Sequence, residues 1–206
     1  MSQEASVETT ALPALAEEER LRADLYGLLA RLLSRPADAQ DLDIAAGLRG
    51  DKSDLGEGIT ALSKVAAKTS TEAAEREFNA LFIGLGRGEL LPYGSFYLTG
   101  FLNEKPLALL RGHMEKLGIA RNADVKEPED HIATLCEIMA GLITGDLGDS
   151  MSIGDQEAFF NTHLAPWAEH FFTDLEGAEG SFFYAPVGKI GRAFMRIEFE
   201  AFRMDT

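Results

Sequence analysis

Cysteine is nearly absent from this 206-residue chain, where Cys136 stands alone. No disulfide can form within it, which fits a reducing compartment. Long apolar runs are missing as well: no window approaches the ~20 apolar residues that a membrane-spanning helix needs. The segment Met1 to Glu8 has neither a basic region nor an apolar run, so it does not read as a secretory signal. The chain carries no twin-arginine export signal of its own, and a cytoplasmic location is expected. Positive charge is scarce too. Lys and Arg number 19 against 34 Asp and Glu, a formal net charge of −15. Such a chain repels phosphate backbones and anionic lipid surfaces, which argues against nucleic acid and against stable membrane insertion. Its field attracts basic peptides, although acidity of this kind mainly serves solubility. No alternating strand pattern is sustained, and there are no internal repeats.

What is present is helical periodicity. Residues 1–13 read as a disordered tail, polar and rich in Ser, Thr and Glu. Residues 14–206 are long enough to bury one core, with 46% hydrophobic residues in the chain. A first helix runs from about 14 to before Pro36, with Leu21, Leu25, Leu28, Leu29 and Leu32 on one face. Helices are expected at 38–48, 57–68 and 71–83, the last starting at a Ser70 cap and placing Phe78, Leu81 and Phe82 together. The stretch Gly84 to Ser95 holds four glycines and a proline, which forbids regular helix and marks a loop and hinge region over about 84–104. Helix resumes near 95 and at 105–117, ending at Gly118 before apolar Ile119. Residues 128–144 give the clearest helix, with Pro128 at its first position and Ile132, Leu135, Cys136, Met139, Leu142 and Ile143 as its stripe. Helices at 155–163 and 165–175, parted at Pro166, and a last one at 187–203 complete an all-α multi-helix bundle.

Tests for catalytic chemistry return little. None of His113, His131, His163 and His170 has Glu three residues before it, so the di-metal bundle motif is missing. His163 and His170 lie two turns apart, but Pro166 intervenes and no further ligand is evident. Gly84, Gly86 and Gly88 resemble a phosphate cradle only superficially, since Glu89 stands where the fingerprint needs glycine and no strand precedes. Cys136 falls within an apolar stripe and reads as core. The segment Glu127-Pro128-Glu129-Asp130-His131 is more informative. On a helical wheel Asp130 falls about 160° from the stripe, facing solvent, and His131 about 100° away, at the edge of the core. The pair reads either as a helix start or as an acceptor and imidazole facing a ligand. Pro92, Tyr93 and Tyr97 follow the glycines and can either bind a partner peptide or pack beneath the loop.

Five segments, taken in order, resemble the TorD/DmsD family of chaperones for molybdoenzyme maturation. They are Phe78-x-x-Leu81-Phe82-x-Gly84; Pro92-Tyr93-Gly94-Ser95-x-Tyr97-Leu98; Leu109-Leu110-Arg111 through Leu117-Gly118-Ile119; Glu127-Pro128-x-Asp130-His131; and His163-Leu164-x-Pro166-Trp167. The resemblance covers about residues 15–202. It implies a TorD-like fold and a cytoplasmic, non-enzymatic chaperone without a cofactor of its own. Such a chaperone binds the twin-arginine signal peptide, or another part, of a molybdopterin-dependent oxidoreductase, and holds it until the cofactor is inserted. The resemblance carries peptide binding onto Phe78, Leu81, Phe82, Pro92, Tyr93, Tyr97, Asp130 and His131. It also implies transient contact with GTP or with the molybdopterin cofactor, ranked below the peptide site. Where some members carry tryptophan, this chain has Phe78, Tyr93 and Tyr97.

These readings combine into one expected groove. Phe78, Leu81, Phe82, Tyr93 and Tyr97 line it for the apolar part of the signal peptide, and Glu127, Glu129 and Asp130 receive the two arginines. The chain is expected to be a monomer or a domain-swapped dimer. The alternatives are a guanine-nucleotide-binding protein using the Gly84–Gly88 loop and a general helical adaptor.

Overall fold

The computed structural model describes residues 15–120, 127–147 and 151–204. The expected disordered tail lies outside them. Helices α1 (Glu17–Ser34), α2 (Ala39–Gly47), α3 (Asp54–Ala66) and α4 (Thr71–Phe78) come first, and α4 continues into a π-helical turn, Asn79–Ile83. Then follow α5 (Gly94–Thr99), α6 (Lys105–Lys116), α7 (Ile132–Thr144), α8 (Ile153–His163), α9 (Ala168–Gly177) and α10 (Tyr184–Met204). Among the described residues the only strand-like pairing is a single bridge between Tyr93 and His131. The all-α expectation holds.

Local signals start and stop most of these helices. Asp38 caps α2 and exchanges a reciprocal bond with Asp41; Ser53, Ser70 and Ser152 cap α3, α4 and α8. Gly118 stops α6 with φ of 71°, and the amide of Ile119 returns to the Met114 carbonyl at 2.8 Å.

Packing places α1 against α7, α10 against α9 and α3, and α2 against α3. On α1 the buried residues are Ala23, Tyr26, Leu29, Leu32 and Leu33, so Leu29 and Leu32 of the expected stripe lie in the core, Leu25 and Leu28 pack half-buried against it, and Leu21 is 56% exposed. A polar connection also ties α1 to α10: Glu198 of α10, buried, accepts from Arg22 at 2.7 and 2.8 Å and from the Tyr26 hydroxyl at 3.0 Å. At the α9–α10 crossing a Cβ on Gly191 would stand 2.2 Å from the Phe172 ring, so only glycine allows the approach. Cys136 is buried in the core, as its stripe predicts, and burial pushes its thiol up.

Five helix starts lie three or four residues from the sequence reading, α1 at Glu17, α3 at Asp54, α7 at Ile132, α9 at Ala168 and α10 at Tyr184, and two of them are set by distant partners. Helix α10 begins at Tyr184, not near 187, because the Glu77 carboxylate of α4 accepts from the amides of Phe182, Phe183 and Tyr184 at 2.6, 3.0 and 2.8 Å. Helix α7 begins at Ile132, not 128. The backbone around His131 is drawn into extended pairing, with Ile132 N–H donating to Pro92 O and Gly94 N–H to Asp130 O, both at 2.9 Å.

Candidate functional site

The same short pairing builds the candidate site. The π-helical turn closes when Gly84 N–H reaches the Asn79 carbonyl at 2.7 Å. Gly84, at φ of 62°, then turns the chain out. The chain returns through Leu90, whose N–H donates to Leu81 O at 2.8 Å, and brings Pro92–Gly94 alongside Asp130–Ile132. Gly94 eases the close approach here, since its ideal Cβ would lie 3.1 Å from Nε1 of Trp167, a tight contact.

On one side of this crossing lies a cavity of about 320 Å³. It is lined by Phe78, Phe82, Pro92, Tyr93, Glu127 and His131, six of the nine residues expected to bind peptide. The Phe78 and Phe82 rings meet edge-on at 4.9 Å. Tyr93 stacks edge-on against His131 at 5.1 Å and donates its hydroxyl proton to Glu127. Burial, reinforced by that carboxylate, pushes the Tyr93 phenol well above its ordinary range, so it stays a donor. His131 caps α7: its Nδ1 accepts from Ala133 N–H at 3.1 Å, which leaves the proton on Nε2. Burial lowers its pKa to about 4, so the ring is neutral near pH 7. Glu127 and Glu137 are exposed. The cavity is thus aromatic in its walls and acidic at its rim. Its chemistry suits an apolar chain next to guanidinium or ammonium groups.

The other three expected residues lie elsewhere. Leu81 is fully buried in the core. Tyr97 packs on Trp167 at 5.3 Å and on Phe171 at 6.0 Å, and its hydroxyl donates to Asp174 at 2.8 Å. Asp130 is 3% exposed instead of facing solvent. The helical wheel assumed helix from 128, and the extended backbone at His131 turns this carboxyl inward, where Oδ2 accepts from Ser95 N–H at 2.7 Å. Glu129, expected beside it as an arginine receptor, is buried and held by Arg111 through Nε and Nη2, both at 2.9 Å.

Sequence reasoning missed Ser34, Ile83, Thr134 and Glu137 on the cavity wall. Thr134 and Glu137 were findable: with His131 they recur every three residues and interrupt the apolar run of α7. The His163–His170 pairing is also replaced. His163 Nε2 meets Nδ1 of His113 at 2.9 Å, while His170 stands on another helix, α9. No cluster of three or more metal-ligating side chains exists among the described residues. Among them no helix is long and apolar enough to cross a membrane. The Gly84–Gly88 loop follows a π-helical turn and does not lead directly into a helix N-terminus.

The sequence model described as nitrate reductase delta subunit matches residues 48–173. The chaperone protein TorD of Vibrio atlanticus (strain LGP32) is 29% identical over 199 residues, spanning 86% of this chain and 92% of that protein. TorD of Aliivibrio fischeri (strain ATCC 700601 / ES114) is 28% identical over the same shares. A crystal structure from Archaeoglobus fulgidus, assigned to redox enzyme maturation, superposes with a TM-score of 0.55 at 22% identity. The match covers 92% of this chain and 99% of that one. That likeness shows a shared fold.

Proposed function

The chain belongs to the nitrate reductase delta subunit family, and from that premise we propose that it binds the twin-arginine signal peptide of one molybdopterin-dependent oxidoreductase in the cavity beside the Tyr93–His131 bridge. It is a chaperone for molybdoenzyme maturation, not an enzyme; the curated relatives it resembles bear the name chaperone protein TorD. The role needs no cofactor of its own. Acting before export, it works in the cytoplasm and holds the catalytic subunit until its cofactor is inserted.

One observation carries the reading. Phe78, Phe82, Pro92 and Tyr93 offer an apolar wall within reach of the exposed Glu127 carboxylate. An apolar signal-peptide segment gains about 25 cal/mol per Å² buried, before ordering costs. The adjacent arginines meet Glu127 and Glu137 at the rim, where pairing is charge-assisted. Ile83 on the cavity wall and Leu85, two residues along the chain, are both exposed apolar side chains.

Calorimetry with a synthetic twin-arginine signal peptide tests it. Tyr93→Ala is expected to weaken binding by roughly tenfold or more, the effect of losing one aromatic anchor. Glu127→Gln is expected to weaken it less and to flatten its salt dependence. Wild-type affinity in both variants would remove this cavity from the function.

A further inference from the structure

A second cleft, of about 540 Å³, lies across the Pro92–Gly94 crossing from the first, between α5, α6 and the α8–α9 junction. Its walls include Leu98, Pro106, Leu109 and Trp167. Asp130 lines it and is buried, as described above. Ser95 N–H satisfies Oδ2, but Oδ1 has no hydrogen-bond partner among the described residues. The Ser95 hydroxyl, fully buried on the adjoining turn, is likewise without a partner among them. A buried carboxyl oxygen lacking a donor is costly, and a ligand that brings an N–H donor relieves that cost.

We propose that this cleft is a second binding site, for a polypeptide segment in which one arginine or lysine stands among apolar residues. That the segment belongs to the client rests on the function proposed above; the chemistry of the cleft does not. Three features select the occupant. Asp130 Oδ1 calls for a donor, and a cationic one makes the stronger bond. Lys105, exposed at the mouth, repels a second cation, so a doubly basic motif fits poorly. Apolar surface also continues outward along the α5–α6 hairpin: Leu98, Phe101, Leu102 and Leu109 are 43%, 69%, 41% and 59% exposed. That surface extends beyond what a small molecule held in the cleft would cover, and a chain segment covers it. The client is then gripped on two faces by different chemistries.

Trp167 makes the test direct. It is the chain's single tryptophan, and it lines this cleft and not the first. The probe is a capped seven-residue peptide of alanine and leucine with one central arginine, titrated into the full-length protein while Trp167 emission is followed. A saturable change is expected. Citrulline in place of the arginine, neutral and close in shape, should weaken binding roughly tenfold, the loss of one charge-assisted bond. Asp130→Asn should weaken the arginine probe equally and leave the citrulline probe unchanged. If that variant does not fold, Leu109→Ser, at an exposed position, should weaken both probes. An unresponsive Trp167, or equal affinity for arginine and citrulline, overturns the second site. Failure of the twin-arginine peptide to bind, with the Trp167 response intact, overturns the first-cavity reading and leaves this one standing.

Discussion

Glu198 and Asp130 are both buried, at 1% and 3% exposure, yet their surroundings treat them oppositely. Glu198, in the region where α1, α8 and α10 meet, takes Arg22 on both oxygens and Tyr26 on one. Gln156 of α8 then accepts from the same Arg22 at 3.2 Å. Asp130, beside the bridge, takes one backbone N–H and leaves Oδ1 with none among the described residues. Where three helices are fastened together, donors come from the fold itself. Where two clefts flank a short backbone crossing, a donor is lacking. Under the second-site proposal, the oxygen left incomplete in that position is the one offered to a ligand.

Removing each carboxyl separates these two roles. Glu198→Ala strands the Arg22 charge and the Tyr26 hydroxyl in the interior, and should destabilise the protein by about 3–5 kcal/mol. Urea unfolding measures this. Asp130→Asn keeps an oxygen that can accept from Ser95 N–H, and should cost less than about 1 kcal/mol. A loss at Asp130 as large as that at Glu198 would erase the distinction, because both would then be structural.

Acid should strain the bridge region in particular, since both imidazoles with strongly lowered pKa lie beside the clefts. Burial is the main cause in each, and His163 is lowered further by the neighbouring His113. An unfolded imidazole titrates near 6.5, whereas His131 and His163 titrate at about 4 when folded. Between those values the unfolded chain binds protons that the folded chain does not. Stability is therefore full above about pH 6.5 and falls as the pH drops toward 4. The ceiling is roughly 3 kcal/mol for His163, and less for the partly exposed His131. Carboxylates titrate in the same window, so the informative quantity is the difference between wild type and His163→Gln. The variant should lose less stability from pH 6.5 to 4.5. An identical pH slope would show that the folded-state imidazole is not shifted.

Some helix boundaries were legible in the sequence and others were not, for a physical reason. Helices α2, α3 and α4 carry their own caps at Asp38, Ser53 and Ser70, and α6 stops at its own glycine. Such signals span four residues and can be read directly. The start of α7 depends on Pro92, some forty positions away, and that of α10 on Glu77, which is farther still. No local pattern contains those partners. The error at α7 then spread to Asp130, whose direction was inferred from a helix that does not yet exist at that residue. Phe78 and Phe82 were legible as a pair because i,i+4 spacing survives the change from α to π winding. Leu81, between them, points into the core. The family resemblance put Tyr93 and His131 among the same peptide-binding residues, but their contact was not foreseen, since spacing alone cannot join residues on separate segments.

Tyr97 gives the smallest and most discriminating prediction. Four positions from Tyr93 on a short helix, it resembles a second aromatic anchor of the first cavity. Its ring instead lies on Trp167 and Phe171, and its hydroxyl reaches Asp174 at an exposed position. Tyr97→Phe keeps the ring and removes only that hydrogen bond, so the expected cost is below about 1 kcal/mol, read as a small drop in melting temperature. Affinity for the twin-arginine peptide should not change, whereas Tyr93→Ala lowers it. Trp167 emission should shift slightly even without peptide, because the ring beneath the indole loses its tether. If Tyr97→Phe weakened the twin-arginine peptide as much as Tyr93→Ala, the two faces would act as one continuous groove. Asp130 would then return to the role of a signal-peptide receptor, and the second site would have no separate occupant.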